Sequence, residues 1–322
     1  MPGWPKTVVF SSRLGPNFLW HMLAVARIGY DSNYADCYGS MVNATCLDVL
    51  HRHAPLLRFG GGNTGGMTGL FTFLPGWLHL ETGPGFRHYF ATVDQCLSEG
   101  SFRFLATEFP RVDWSDKAFR HLPSVTFQPD PESRAIFGDL STAYMESFPA
   151  YEKTVWPEAS RAMAPRVSEL AAWFARRDYI LAWEEVLGIE FAARSYEIVL
   201  CHSNLNGPDY NSLGYSGNLF YYNKPFEKTW QFVSHEIGTH LLFDVLAVVS
   251  RERSVDPPKL HGPFEVLAMF YNRRVLVLDR LAYDLASCGD AELLPFYEQE
   301  HVTAHGPEEL LHRAARYLEG DA

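Results

Sequence analysis

The six residues His235-Glu236-Ile237-Gly238-Thr239-His240 constrain this chain more than any other stretch. They follow an aromatic-rich lead-in, Phe226 to Val233, and precede an apolar run, Leu241 to Val249. Pro225 introduces them, and a buried helix over about 226–249 is the expectation. Two imidazoles with a carboxylate between them are the groups that metal-dependent hydrolysis of an amide uses. The spacing is one residue longer than HExxH, where residues four apart lie about 40° off a common line. Residues five apart lie about 140° apart on a regular helix. Aiming both rings at one ion therefore requires the turn to widen by one residue, as a π-bulge does. Gly238 offers backbone freedom there, at a cost of roughly 1 kcal/mol of helix propensity relative to alanine. Thr239 adds a hydroxyl that competes for a backbone carbonyl.

Zinc in a catalytic site takes three protein ligands and leaves a position open. His235 and His240 are the first two candidates, against a plain reading in which His240 satisfies a polar neighbour. Glu265 is the third, because Phe264, Val266, Leu267, Met269 and Phe270 surround it in sequence. A carboxylate among such neighbours calls for a cation or several donors; the plain alternative is a Glu near a helix start. His261 is the alternative ligand, or a substrate contact. Glu236 then falls to the role of general base. Asp244 and Asp279 are candidates to hydrogen-bond the second nitrogens of the ligand histidines. An oxyanion donor has to come from elsewhere, with Tyr283 favoured over Tyr271, Arg274 and His202, against the plain reading in which any single Tyr here packs in the core. Tyr221 and Tyr222 are placed beside a cleft if residues 218–222 form the edge of a sheet that pairs with an extended peptide.

HEIGTH followed by Leu241-Leu242 resembles the HExxxH signature of the tubulin tyrosine carboxypeptidase family and its bacterial, gluzincin-like relatives. The resemblance is confined to residues around 230–245, weaker through 265. It implies zinc held by His235, His240 and Glu265, with Glu236 activating water. The fold it implies is α+β, a mostly helical zincin-like metallopeptidase fold with a small sheet beside the helix that bears the motif. A peptide or protein is the default substrate, but the family's acidic tubulin tails do not carry over, since a formal charge of -11 opposes them. The competing account is a non-catalytic metal-binding or structural protein.

Composition bounds the rest. In 322 residues the 27 Lys and Arg form no long stripe, which argues against nucleic acid or an anionic membrane as main partner. Five cysteines without paired spacing point to a reducing, cytoplasmic setting. Met1 to Pro5 lack the start of a signal peptide. Asp244, Arg273, Arg274 and Asp279 interrupt the apolar runs before the roughly eighteen residues of a membrane span. The 8 Trp, 16 Tyr and 23 Phe suit a bulky core or a ligand-lined cleft.

Along the chain, helices are expected over 14–28 and 44–53 from apolar periodicity. Residues 60–66, rich in glycine, read as a surface loop or a tight backbone approach rather than a phosphate loop. Prolines 75, 84, 110, 123 and 129 make short strands or irregular connections the expectation over 69–131. A boundary is placed at 135/136, separating an aromatic and glycine-rich first part (1–135) from a catalytic part (136–322). Beyond it, Trp156-Pro157-Glu158 reads as a helix start, with a break at 176–178 and a stop at Gly188. Strands at 196–201 and 218–222 flank a loop over 202–217. A supporting helix from Pro263 to about Leu285 and a last helix over 308–318 complete the order.

Overall fold

The computed structural model describes residues 6–29, 33–60, 63–110, 130–205, 213–214 and 216–319. Among the described residues the fold is mostly helical (70%) with a small parallel sheet of three strands. The strands are β1 (Thr7–Ser11), β2 (Phe59–Gly60), β3 (Asn63–Thr64), β4 (Ser195–Cys201) and β5 (Gly217–Tyr221). The sheet has the order β1-β4-β5, and β4 pairs with β5 in parallel register from Glu197↔Gly217 to Cys201↔Tyr221. β2 and β3 form a separate antiparallel pair. β5 is an edge strand of this sheet, as expected, but every one of its residues is buried.

The chain divides into two units, one of Met1–Val9, Leu170–Tyr196 and Lys224–Ala322, the other of Phe10–Glu169 and Glu197–Asn223. Both are discontinuous in sequence, and the boundary expected at 135/136 falls inside the helix Pro131–Ala150.

The unit of Phe10–Glu169 and Glu197–Asn223 is built on aromatic packing. Phe18, on the helix Leu14–Val25, meets Phe86, Tyr144 and Phe148 edge-on at 5.5, 5.8 and 5.0 Å between centroids. Edge-to-face contacts of this kind add about 0.5–1.5 kcal/mol each beyond area burial. Contrary to expectation, residues 83–99 form a long helix, Gly83–Glu99. Pro84 lies in its first turn, where a missing N–H costs nothing; Thr82 Oγ1 accepts from Gly85 N, and Gly100 closes the far end at φ 64°. Gly65 is the tight approach anticipated in the glycine stretch. A Cβ there would lie 2.4 Å from the Leu56 carbonyl. Pro110 ends the described part of this region, and Pro123 and Pro129 lie outside the described residues.

Helical structure continues from Pro131–Ala150 through a π-helical turn, Tyr151–Val155, into Trp156–Phe174. The α-helix starts at Trp156 as expected, although it continues directly from the π-helical turn. The break at 176–178 is present. Asp178 caps the next helix, Tyr179–Leu187, by accepting from Leu181 N at 2.8 Å, and Gly188 ends it at φ 68°.

In the other unit the motif helix runs over Phe226–Arg253 and the supporting helix over Pro257–Leu276. The supporting helix starts earlier than expected because Asp256-Pro257-Pro258 opens it, with Pro at its first positions; Pro263 lies inside it. It also ends earlier, at Val277 with φ 56°. Helices Asp290–Glu300 and Pro307–Glu319 follow. Among the described residues one helix, Phe226–Arg253, is long and apolar enough to cross a membrane by length and composition, and 78% of its most apolar window is buried within the molecule. Every residue from Gln231 to Leu242 is buried.

Candidate metal centre

His235 is completely buried, and its Nε2 lies 3.0 Å from Glu265 Oε2 on the supporting helix and 4.0 Å from Glu236 Oε1. Glu236 and Glu265 are 4% and 7% exposed. One ligand-type atom from each of His235, Glu236 and Glu265 lies within 4.8 Å of the other two. A regular helix explains half of this: consecutive residues 235 and 236 start about 100° apart, and the supporting helix fills the angle between them with a carboxylate.

Two carboxylates and one imidazole in a space shielded from water are an unfavourable set of charges by themselves. Nitrogen and carboxylate oxygen are donors that zinc accepts. His235 Nδ1 is buried without a hydrogen-bond partner. The residues therefore fit a divalent ion.

The motif turn differs from its expected shape. The helix is α-helical throughout Phe226–Arg253, with no π-bulge between the histidines. On this regular helix His240 is not brought into the group of His235, Glu236 and Glu265. Its buried ring lies instead against Tyr196 and Phe243, at 5.2 and 4.8 Å between centroids. Gly238 has a different purpose from the one expected. A Cβ there would lie 2.2 Å from Cη2 of Trp183, so glycine makes room for the indole. Trp183 Nε1 also donates to Ser234 Oγ at 3.1 Å, which pins the turn on both sides of the pair His235-Glu236.

Thr239 behaves as its hydroxyl suggests. Its Oγ1 donates to the Glu236 carbonyl at 2.9 Å and lies 3.2 Å from Glu236 Oε2. The hydroxyl of Tyr196 donates to the same carbonyl at 3.4 Å.

Tyr283 stands beside the cluster. It follows the supporting helix in an irregular segment, where a helical position had been expected. Its ring meets His235 edge-on at 5.6 Å and Phe232 at 4.6 Å. Asn272 Nδ2 donates to the Tyr283 hydroxyl at 3.0 Å and to the Gln231 carbonyl at 2.9 Å. Gln231 Oε1 in turn accepts from Ala282 N at 2.6 Å. Gln231 is one helical turn before His235, and Asn272 two turns after Glu265, so both lie on the faces that carry the cluster. Sequence reading missed these two amides. The available signal was a polar side chain at the same helical phase as each proposed ligand. Tyr283 also lines a cavity of about 490 Å³ with Arg273, Asp279, Arg280 and Asp290 among its walls.

Comparison of the chain with models of known families, with curated proteins and with solved structures gives no match.

The remaining candidates separate clearly. His261 Nδ1 is 3.5 Å from Glu265 Oε1, with its side chain 47% exposed. Asp244 and Asp279 are both exposed, so neither is placed to serve the buried His235 Nδ1. Arg274 pairs with Glu298 at 2.8 Å and covers the Phe270 ring. Tyr271 packs against Phe270 and His301, and burial pushes its hydroxyl up to about 12. His202, Tyr221 and Tyr222 belong to the other unit, where His202 and Tyr222 stack on each other.

Proposed function

We propose that His235 and Glu265 hold a divalent metal ion, zinc by preference, and that the protein hydrolyses a peptide bond with Glu236 as general base. The observation that carries this reading is the mutual approach of three ligand-type atoms from His235, Glu236 and Glu265 in a buried setting. The resemblance of His235–Leu242 to the HExxxH peptidases supports the same assignment. Bound zinc supplies Lewis acidity, which acidifies water and polarises a carbonyl. The resemblance also implies His240 as third ligand; it lies outside this group, against Tyr196 and Phe243, so its ligation requires the motif turn to widen when metal binds.

The chain's own residues divide the work. Glu236 accepts a proton from the attacking water and returns it to the leaving amine. The Thr239 hydroxyl beside Oε2 restricts the rotation of that carboxylate. Tyr283, its oxygen already accepting from Asn272, directs its own O–H toward the developing oxyanion. The substrate class proposed is a peptide or protein.

A peptide library incubated with the zinc-loaded wild type and with Glu236→Gln tests this reading. Cleavage by the wild type and at least about a hundredfold less by Glu236→Gln, at equal metal content, is expected. Metal uptake without cleavage by either protein favours a non-catalytic metal-binding protein instead.

A further inference from the structure

The unit of Phe10–Glu169 and Glu197–Asn223 carries a second arrangement of functional groups, at the ends of two strands. His202 directly follows β4 and Tyr222 directly follows β5. Because the strands are parallel with Cys201 opposite Tyr221, both side chains leave from the carboxyl ends of neighbouring strands. Tyr222 N donates to the Cys201 carbonyl at 3.0 Å and extends the ladder by one step. In open parallel sheets, ligands bind outside the carboxyl ends of the strands.

The aromatic groups there form two walls. His202 and Tyr222 stack at 5.3 Å with 25° between their planes. Tyr34 and Tyr38, 4.6 Å apart, form the second wall. Each stands steeply to His202, at 70° and 72° with centroids 5.9 and 5.8 Å away. Tyr38, His202 and Tyr222 are partly exposed. His202 is fixed from behind, its backbone N–H donating to Asn17 Oδ1 at 2.9 Å, and its Nδ1 is buried without a hydrogen-bond partner.

The electrostatics favour a cation. Burial lowers the pKa of His202, so its imidazole is neutral at neutral pH. His21 behind it, paired with the Tyr34 hydroxyl at 2.8 Å, is neutral for the same reason. Glu158 is exposed on the first turn of Trp156–Phe174; after burial, its negative charge raises the pKa of the Tyr38 hydroxyl, and it opposes the lowering that burial causes at His202. Ring faces attract a cation within about 6 Å of their centroids, and a nearby carboxylate adds to that attraction.

We propose that the corner of Tyr34, Tyr38, His202 and Tyr222 binds an ammonium-bearing ligand against its ring faces, with Glu158 supplying the counter-charge. This site is independent of the metal-centre reading and stands or falls without it.

Calorimetric titration of the full chain with choline and with n-butylammonium, at constant ionic strength, tests the proposal. The neutral isostere 3,3-dimethyl-1-butanol is the control. Saturable binding of at least one ammonium probe is expected, at least about fivefold tighter than the isostere. Glu158→Gln and Tyr38→Leu are each expected to weaken it by about fivefold. Glu158 is exposed, so its variant keeps the test sound if Tyr38→Leu fails to fold. No saturable binding of either ammonium probe, equal binding of the neutral isostere, or full binding by Glu158→Gln overturns the proposal.

Discussion

The indole of Trp183 occupies the space that a side chain at residue 238 would need: a Cβ on Gly238 would sit 2.2 Å from Cη2. The turn that carries His235 and Glu236 is thereby pressed against a rigid aromatic plate and tied to it again through Ser234. Gly238→Ala is therefore expected to destabilise the protein by about 1–3 kcal/mol through overpacking. Helix propensity alone would stabilise it by roughly 1 kcal/mol. Urea denaturation of Gly238→Ala, and of Gly238→Ala combined with Trp183→Leu, distinguishes the two. Partial recovery in the double variant is the expected signature of a direct contact; a stabilised single variant contradicts it.

Tyr283 and His235 share an edge-to-face contact at 5.6 Å, and Asn272 fixes the tyrosine hydroxyl. Tyr283→Phe keeps the ring and removes the donor. On a cleaved peptide, kcat is expected to fall by about 10²–10³-fold, as for loss of one oxyanion donor, with metal content unchanged. An unaltered kcat reduces Tyr283 to a packing residue.

Acid stability should report on His21. Burial first, and the nearby His202 second, lower its pKa from the ordinary 6.5 to about 3. The unfolded chain takes up a proton near pH 6.5, whereas the folded one does not until about pH 3. Stability at this group is thus full above 6.5, falls as pH drops through that window, and levels off below it. The slope is at most about 1.4 kcal/mol per pH unit for one proton. His21→Phe should show a shallower loss in urea midpoint between pH 6.5 and about pH 3. Parallel slopes for the two proteins contradict the assignment.

The sequence was most legible where the signal is local. The break at 176–178 and the stop at Gly188 bound their helix as expected, because the Asp178 cap and the glycine both act through backbone groups a few residues away. Glu265 stood out as a carboxylate among apolar neighbours, and it does meet His235. Proline misled the reading of residues 83–99 and 257–262. Pro84, Pro257 and Pro258 occupy helical first turns, where proline starts a helix that it would break further in. The shape of the motif turn was not legible, because Gly238 answers to Trp183, which lies on a separate helix. Gln231 and Asn272 were missed for a similar reason: each shares the helical phase of a proposed ligand, but the distant segment it ties down carries no pattern that names its partner.

Metal analysis of protein purified without chelator tests the central claim most directly, with His235→Asn, Glu265→Gln and His240→Asn run beside the wild type. Close to one zinc per chain is expected for the wild type. His235→Asn and Glu265→Gln should retain little, and His240→Asn should bind zinc at least about tenfold more weakly if it supplies the third ligand. A wild-type protein that carries no zinc and takes up none on titration contradicts the account.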